Sequence, residues 1–183
     1  MGVRRKFIRE VAQRLLDEHC PDCPPVDVEM ISKRLGIEVK FDSVDDDLSG
    51  FLYREPKTGR AVIGVNANHH PHRQTFTIAH ELGHFLLHES ETVHVDSKKD
   101  GYTLQLRNPT SATGANISER EANLFAAEIL MPAKFLQKEL RKKDLDLMDD
   151  EEKSDGVLKS LAKRCGVSLQ ALTIRLNNLG YIK

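Results

Sequence analysis

The chain has 183 residues, enough for about one domain or one domain with a small appendage. Apolar residues make up 39% of it, sufficient for a core, and 27 Lys and Arg nearly balance 28 Asp and Glu, which argues against a protein that coats nucleic acid or a membrane as a whole. No run approaches the roughly 18 apolar residues that span a bilayer, the N-terminus carries charge in every helical turn, and three cysteines make no disulfide framework, so a cytoplasmic protein with reduced thiols is expected.

Phe7, Val11 and Leu15, together with Ile8, Ala12 and Leu16, recur at helical spacing and predict a helix over 3–19, ended by the prolines of Cys20-Pro-Asp-Cys-Pro-Pro. Asp27 stands where an N-cap should for a second helix that runs to Leu35 and stops at Gly36. The alternation of Ile37-Glu-Val-Lys-Phe41 predicts a strand. The runs 49–53 and 61–65, joined by a turn with Pro56 and Gly59, suggest a hairpin. Helical patterns cover 72–89 and 118–130. The long stretch between them, with Gly101, Pro109 and Gly114, is expected to be a binding loop or lid. A short helix is predicted over 133–142. Residues 144–155 carry seven acids against Lys153, a solvated linker, and residues 157–183 carry five Lys or Arg and no acid. Helices, strands and helices in that order read as α+β. The expected organisation is a domain over 1–142, an acidic linker over 143–156 and a helical segment over 157–183.

The chemistry concentrates in His80-Glu81-Leu82-Gly83-His84. On a helix, His84 sits one turn beyond His80 and only about 40° around, so the two imidazoles can face one tetrahedral metal ion. Glu81, about 100° from His80, flanks that ion, where a base acting on water belongs. Ile78, Leu82, Phe85 and Leu86 occupy the opposite face, which backs onto the core. A third ligand is needed if one position is left for water. In the helix 118–130, Glu119 leads a stripe with Ala122, Asn123, Ala126 and Leu130, whereas Glu121 and Glu128 fall on the other, more solvated face. Glu119 is therefore the better ligand, and Asn123 is placed to orient a ligand from behind. His88 lies too far along the helix, roughly 12 Å over the ladder, for the same ion and reads as a packed histidine. His69, His70, His72 and His94 read as loop histidines without an assignable partner. Cys20 and Cys23 form a lone C-x-x-C, and Cys165 reads as a buried thiol.

His80-Glu-Leu-Gly-His-Phe-Leu-Leu-His88 and Glu119-Arg-Glu-Ala-Asn-Leu-Phe-Ala-Ala-Glu-Ile-Leu-Met-Pro132, with Ile63-Gly-Val-Asn66 and Ser49-Gly-Phe51 ahead of them, resemble the ImmA/IrrE family of zinc metallopeptidases over residues 26–132. The resemblance implies a zincin-like core with a small antiparallel or mixed sheet. It implies zinc ligands His80, His84 and Glu119, with Glu81 as catalytic base, and a regulatory protease that cleaves a helix-turn-helix repressor. Two imidazoles and a carboxylate accept manganese as well as zinc, with zinc favoured by affinity order.

Residues 158–180 have a pattern of their own: a helix ending at Gly166, Ser168 as the next cap, and Leu169, Leu172, Leu176 and Leu179 at helical spacing. This resembles a helix-turn-helix, with Gln170, Thr173, Arg175 and Asn177 as a modest readout set. Five positive charges are few for a DNA site, so packing on the catalytic core or a protein partner is preferred over DNA. The expected activity is metal-assisted peptide hydrolysis. Tyr53, His88, His94 and Tyr102 are candidate oxyanion donors, and strand 61–65 is expected to offer an edge to an extended substrate. The competing reading is a DNA- or repressor-binding regulator whose metal site is structural or latent.

Overall fold

The computed structural model describes residues 2–20, 24–89, 93–97, 112–142 and 151–182. The expected loop or lid lies for the most part outside these residues, as do positions 143–150 of the acidic linker. The elements are α1 (Arg5–His19), α2 (Val28–Arg34), β1 (Ile37–Asp42), β2 (Leu48–Arg54), β3 (Ala61–Asn66), α3 (Pro71–Leu87), β4 (Val93–Ser97), α4 (Ala112–Leu130), α5 (Ala133–Lys142), α6 (Glu151–Cys165) and α7 (Leu169–Asn178). The architecture is α+β, as its sequence pattern implies.

α1 buries Ile8, Ala12, Leu15 and Leu16 against the core, and it packs on α4. Phe7, expected in that stripe, is instead 45% exposed beneath the Arg4 guanidinium, 5.3 Å from its ring centroid. Asp27 caps α2 by accepting a hydrogen bond from the Met30 amide at 2.8 Å. Gly36 and Gly166 follow α2 and α6 with φ of +78° and +67°, the left-handed conformation that ends a helix at little cost only for glycine. Cys20 is disulfide-bonded, a departure from the reduced thiols expected, while Cys165 is a free, buried thiol.

The sheet is mixed, in the order β1-β3-β2-β4. β2 and β3 form the expected antiparallel hairpin, with Leu52 opposite Ile63. β1 runs parallel to β3 on its other side. β3 is therefore interior, and its backbone is paired on both sides. The expectation that strand 61–65 offers an edge to substrate is wrong, because alternation within a strand says nothing of strand order. Among the described residues the edges are β1 and β4. β4 pairs antiparallel with β2 and falls in the stretch expected to be irregular.

α3 lies on the sheet through β2 and β3 and makes its most extensive helix contact with α4. That contact is close because position 83 has no side chain: a Cβ there would stand 3.1 Å from the Ala122 Cα and 3.1 Å from the Phe125 ring. α4 begins at Ala112, well before the predicted start at 118, and Ser118 is consequently buried within it.

The last two helices pack on the same core. Leu161, Ala162, Cys165, Val167, Leu172 and Leu176 belong to the cluster that holds Ile8, Leu82 and Phe125. Arg164 joins α6 to α5 through Glu139 and lies over the Phe135 ring. Helix α6 starts at Glu151, so residues 151–156 of the expected linker are helical. No described helix is long and apolar enough to cross a membrane.

Candidate metal centre

His70 caps α3 by accepting from the His72 amide, and Pro71 supplies the fixed φ of the first turn. From there the helix period sends Ile78 and Leu82 into the core and turns His80 and His84 toward α4 and β4. Both histidines are buried, and their Nε2 atoms stand 3.1 Å apart. Glu119, on the facing side of α4, spans them: Oε2 is 3.4 Å from His80 Nε2 and Oε1 is 3.3 Å from His84 Nε2. Bonds of about 2.0–2.1 Å from nitrogen or oxygen to a tetrahedral ion put neighbouring donors roughly 3.3 Å apart. Each imidazole nitrogen already has about that spacing to the other and to one oxygen of the Glu119 carboxylate, so the residues fit such an ion.

His94 joins them from β4. Its Nε2 is 3.4 Å from Glu119 Oε1, and His80, His84, His94 and Glu119 together form a group that could hold a metal ion. Sequence reasoning missed this role. The overlooked signal was the alternation in Val93-His-Val-Asp, which reads as a strand with His94 on one face. The His94 ring lies on that of His84 with centroids 3.5 Å apart and planes within 20°. Stacked rings send their in-plane lone pairs alongside one another rather than to one point. His80, His84 and Glu119 therefore converge best, and His94 closes the cluster beside them. Its Nε2 also stands 4.0 Å from Glu81 Oε1. Glu81 is fully buried one residue past His80.

The electrostatics favour ligation. Burial and the neighbouring His84 push the His94 imidazole down to about 3, so it is neutral. Burial works to raise the Glu119 carboxyl, but its contacts with the imidazoles of His80 and His84 outweigh it and hold the group below the ordinary carboxylate range. Behind the cluster, Asn123 Oδ1 lies 3.1 Å from His80 Nδ1. An amide oxygen only accepts, so Nδ1 carries the proton and Nε2 keeps its lone pair for the cluster.

The other acids of α4 behave differently from expectation. Glu121 is only 1% exposed and pairs with Arg4, which donates from its backbone amide and its guanidinium; His88 Nε2 stands 3.8 Å from the same carboxylate. Glu128 is buried between Arg175 and Arg9, taking a bidentate pair from Arg175 at 3.1 and 2.6 Å. Helical phase correctly separates both from Glu119, but the face they share is covered by α1 and α7 rather than by solvent. Arg175, proposed from sequence as a readout residue, is 3% exposed and also donates to the Met131 carbonyl. It is therefore occupied inside the molecule. Of the other oxyanion candidates, Tyr53 is exposed on β2, His88 faces Glu121, and Tyr102 lies outside the described residues.

A family model described as Peptidase_M78, IrrE N-terminal-like domain, matches residues 32–177. The match runs past Pro132, where the motif resemblance ends, through α6 and nearly all of α7. No curated protein matches the chain. Among solved structures it is similar to a Mycobacterium tuberculosis transcriptional regulator, with a TM-score of 0.59 and 19% identity, over 94% of this chain and 46% of that one. The chain thus spans about half the length of that regulator, and at this identity the likeness is one of fold.

Proposed function

Because the chain belongs to the Peptidase_M78 family of IrrE N-terminal-like domains, we propose that it is a metal-dependent endopeptidase that acts in regulation, hydrolysing a peptide bond in a partner protein such as a helix-turn-helix transcriptional repressor. The observation that carries this reading is the convergence of His80, His84 and Glu119 at tetrahedral donor spacing with the Glu81 carboxylate alongside. Those three residues would hold a divalent ion, zinc by affinity order and manganese as the alternative, which would supply Lewis acidity for a carbonyl and lower the pKa of water toward about 7.

The chain's own residues do the rest. Glu81 takes the proton of the attacking water and returns it to the leaving amine. Its full burial strengthens that exchange, because little bulk water competes for the carboxylate. Asn123 fixes the His80 tautomer. His94 faces the same space as Glu81 and offers its ring N–H to the oxygen on which negative charge develops. An extended substrate segment pairs along the outer edge of β4, the edge strand that carries His94.

Glu81→Gln keeps the ligand set and removes the base. The expected outcome is an unchanged metal content by elemental analysis and loss of product fragments on a gel of the partner protein. Cleavage at the wild-type rate by that variant would refute the assignment.

One observation favours a second reading. With His94 the cluster has four protein donors, and closed four-donor sites are the structural kind. On that reading the protein binds a repressor or DNA with a structural or latent metal. It is supported if wild-type protein holds metal and binds a repressor yet yields no fragments.

A further inference from the structure

Behind the metal centre, a groove of about 440 Å³ runs between α1, α4 and α7. α1 lends it Arg5 and Arg9, α4 lends Arg120, Leu124 and Ala127, α7 lends Ile174, and α3 reaches it through Phe76. Spacings of three, four and seven put the α1 and α4 residues each on a single helix face. From Arg120 to Met131 the floor extends about 16 Å at the helical rise.

The charge of the groove is one-sided. No acid lines it, and Glu128 beneath is consumed by Arg9 and Arg175. Arg5 and Arg120 are exposed at the rim, and among the described residues neither makes an ion pair. Ile174 is 56% exposed over the apolar floor, the most exposed of the large hydrophobic residues described. A concave surface of one sign draws in the opposite charge, and arginine pairs with carboxylates in a bidentate fork. The walls are helices, whose backbone groups are already bonded within themselves. An extended strand would find no main-chain partners there, whereas an amphipathic helix, equally self-satisfied, can engage through side chains alone.

We infer that this groove docks an acidic amphipathic helix of the protein substrate, with apolar side chains on Leu124, Ala127 and Ile174 and carboxylates on Arg5 and Arg120. Naming the occupant as substrate rests on the peptidase reading. The groove reaches Asn123, which holds His80, so a helix seated there stands next to the metal centre with its flanking chain available for cleavage.

The test uses the full chain and a fluorescent 14-residue synthetic helix, with leucines on one face flanked by glutamates, and a second helix in which lysines replace the glutamates. Anisotropy should show the acidic helix binding more tightly, and its affinity should fall with added salt. Arg120→Glu and Ile174→Asp should each weaken it by about tenfold or more while metal content stays at the wild-type level. Equal binding of the two helices, or binding indifferent to both substitutions, would overturn the proposal. Binding of octanoate by titration calorimetry, lost in Ile174→Asp, without any helix binding would assign the groove to a small amphiphile. A dimer that Ile174→Asp dissociates would assign it to a second copy of the chain, and either result also overturns it. Binding is read without catalysis, so Glu81→Gln should hold the acidic helix as wild type does. If helix binding survives but no partner protein is cleaved, the peptidase reading fails and the docking surface stands.

Discussion

Asn123 decides which nitrogen of His80 is left for the cluster. Its Oδ1 lies 3.1 Å from Nδ1, and an acceptor there fixes the tautomer and the ring angle together. Asn123→Ala removes the acceptor without touching a donor. Metal affinity, read by competition with a chelator, should fall about 10–100-fold while the fold is retained. An unchanged affinity would mean that packing alone orients His80. Asn123 could be picked out from sequence because a helix has one period, and Asn123 shares the face of Glu119. His94 could not be given a partner, because a histidine in a strand acquires its neighbours only when the sheet forms.

At the level of elements, the site depends on how closely two helices approach. Gly83, inside the His80–His84 pentapeptide, lets the α4 backbone come against α3 at Ala122, which brings Glu119 within reach of both imidazoles. A methyl group at 83 would press on backbone, which cannot rotate away as a side chain can. Gly83→Ala is expected to cost about 1–3 kcal/mol by overpacking in chemical denaturation and to weaken metal binding, since Glu119 moves with α4. If both quantities match wild type, α4 adjusts without displacing Glu119. Helix existence, caps and the hairpin follow from local period and turn chemistry and so are legible in the residues. The pairing of β4 with β2 and the interior place of β3 are long-range events that no local pattern encodes.

Across the whole molecule, arginines paired to buried carboxylates fasten the N- and C-terminal helices to the centre. Glu128 on α4 meets Arg9 of α1 and Arg175 of α7, and Glu121 meets Arg4. Burial works to raise the Glu128 carboxyl, but the hydrogen bonds and charge of Arg175, then those of Arg9, hold it below its ordinary value near 4.5. A depressed carboxyl contributes stability that is fully present above the ordinary value and is lost as pH falls through the lower folded value. Glu128→Gln leaves Arg175 buried without its counter-charge and should cost about 3–5 kcal/mol at neutral pH. The gap between wild type and variant, followed by chemical denaturation, should be constant above about pH 5, narrow progressively as pH falls from there, and reach its floor once pH has passed the carboxyl's lower folded value. A gap that stays constant down to acid unfolding would show that charge pairing is not what Glu128 provides.

The residues by themselves determined the mixed helix and strand composition, the helical ladder of His80 and His84, the place of Glu81 beside it, and the separation of Glu119 from Glu121 and Glu128 around α4. Each of these follows from the fixed angle per residue along a helix, a property of short chain segments. The tertiary structure decided that His94 joins the cluster, that Glu121 and Glu128 are buried in ion pairs, that Arg175 anchors α7, and that β4 rather than β3 is a sheet edge. Those outcomes depend on which surfaces meet across the molecule, and burial or pairing at a contact is a property of both partners that neither segment carries alone.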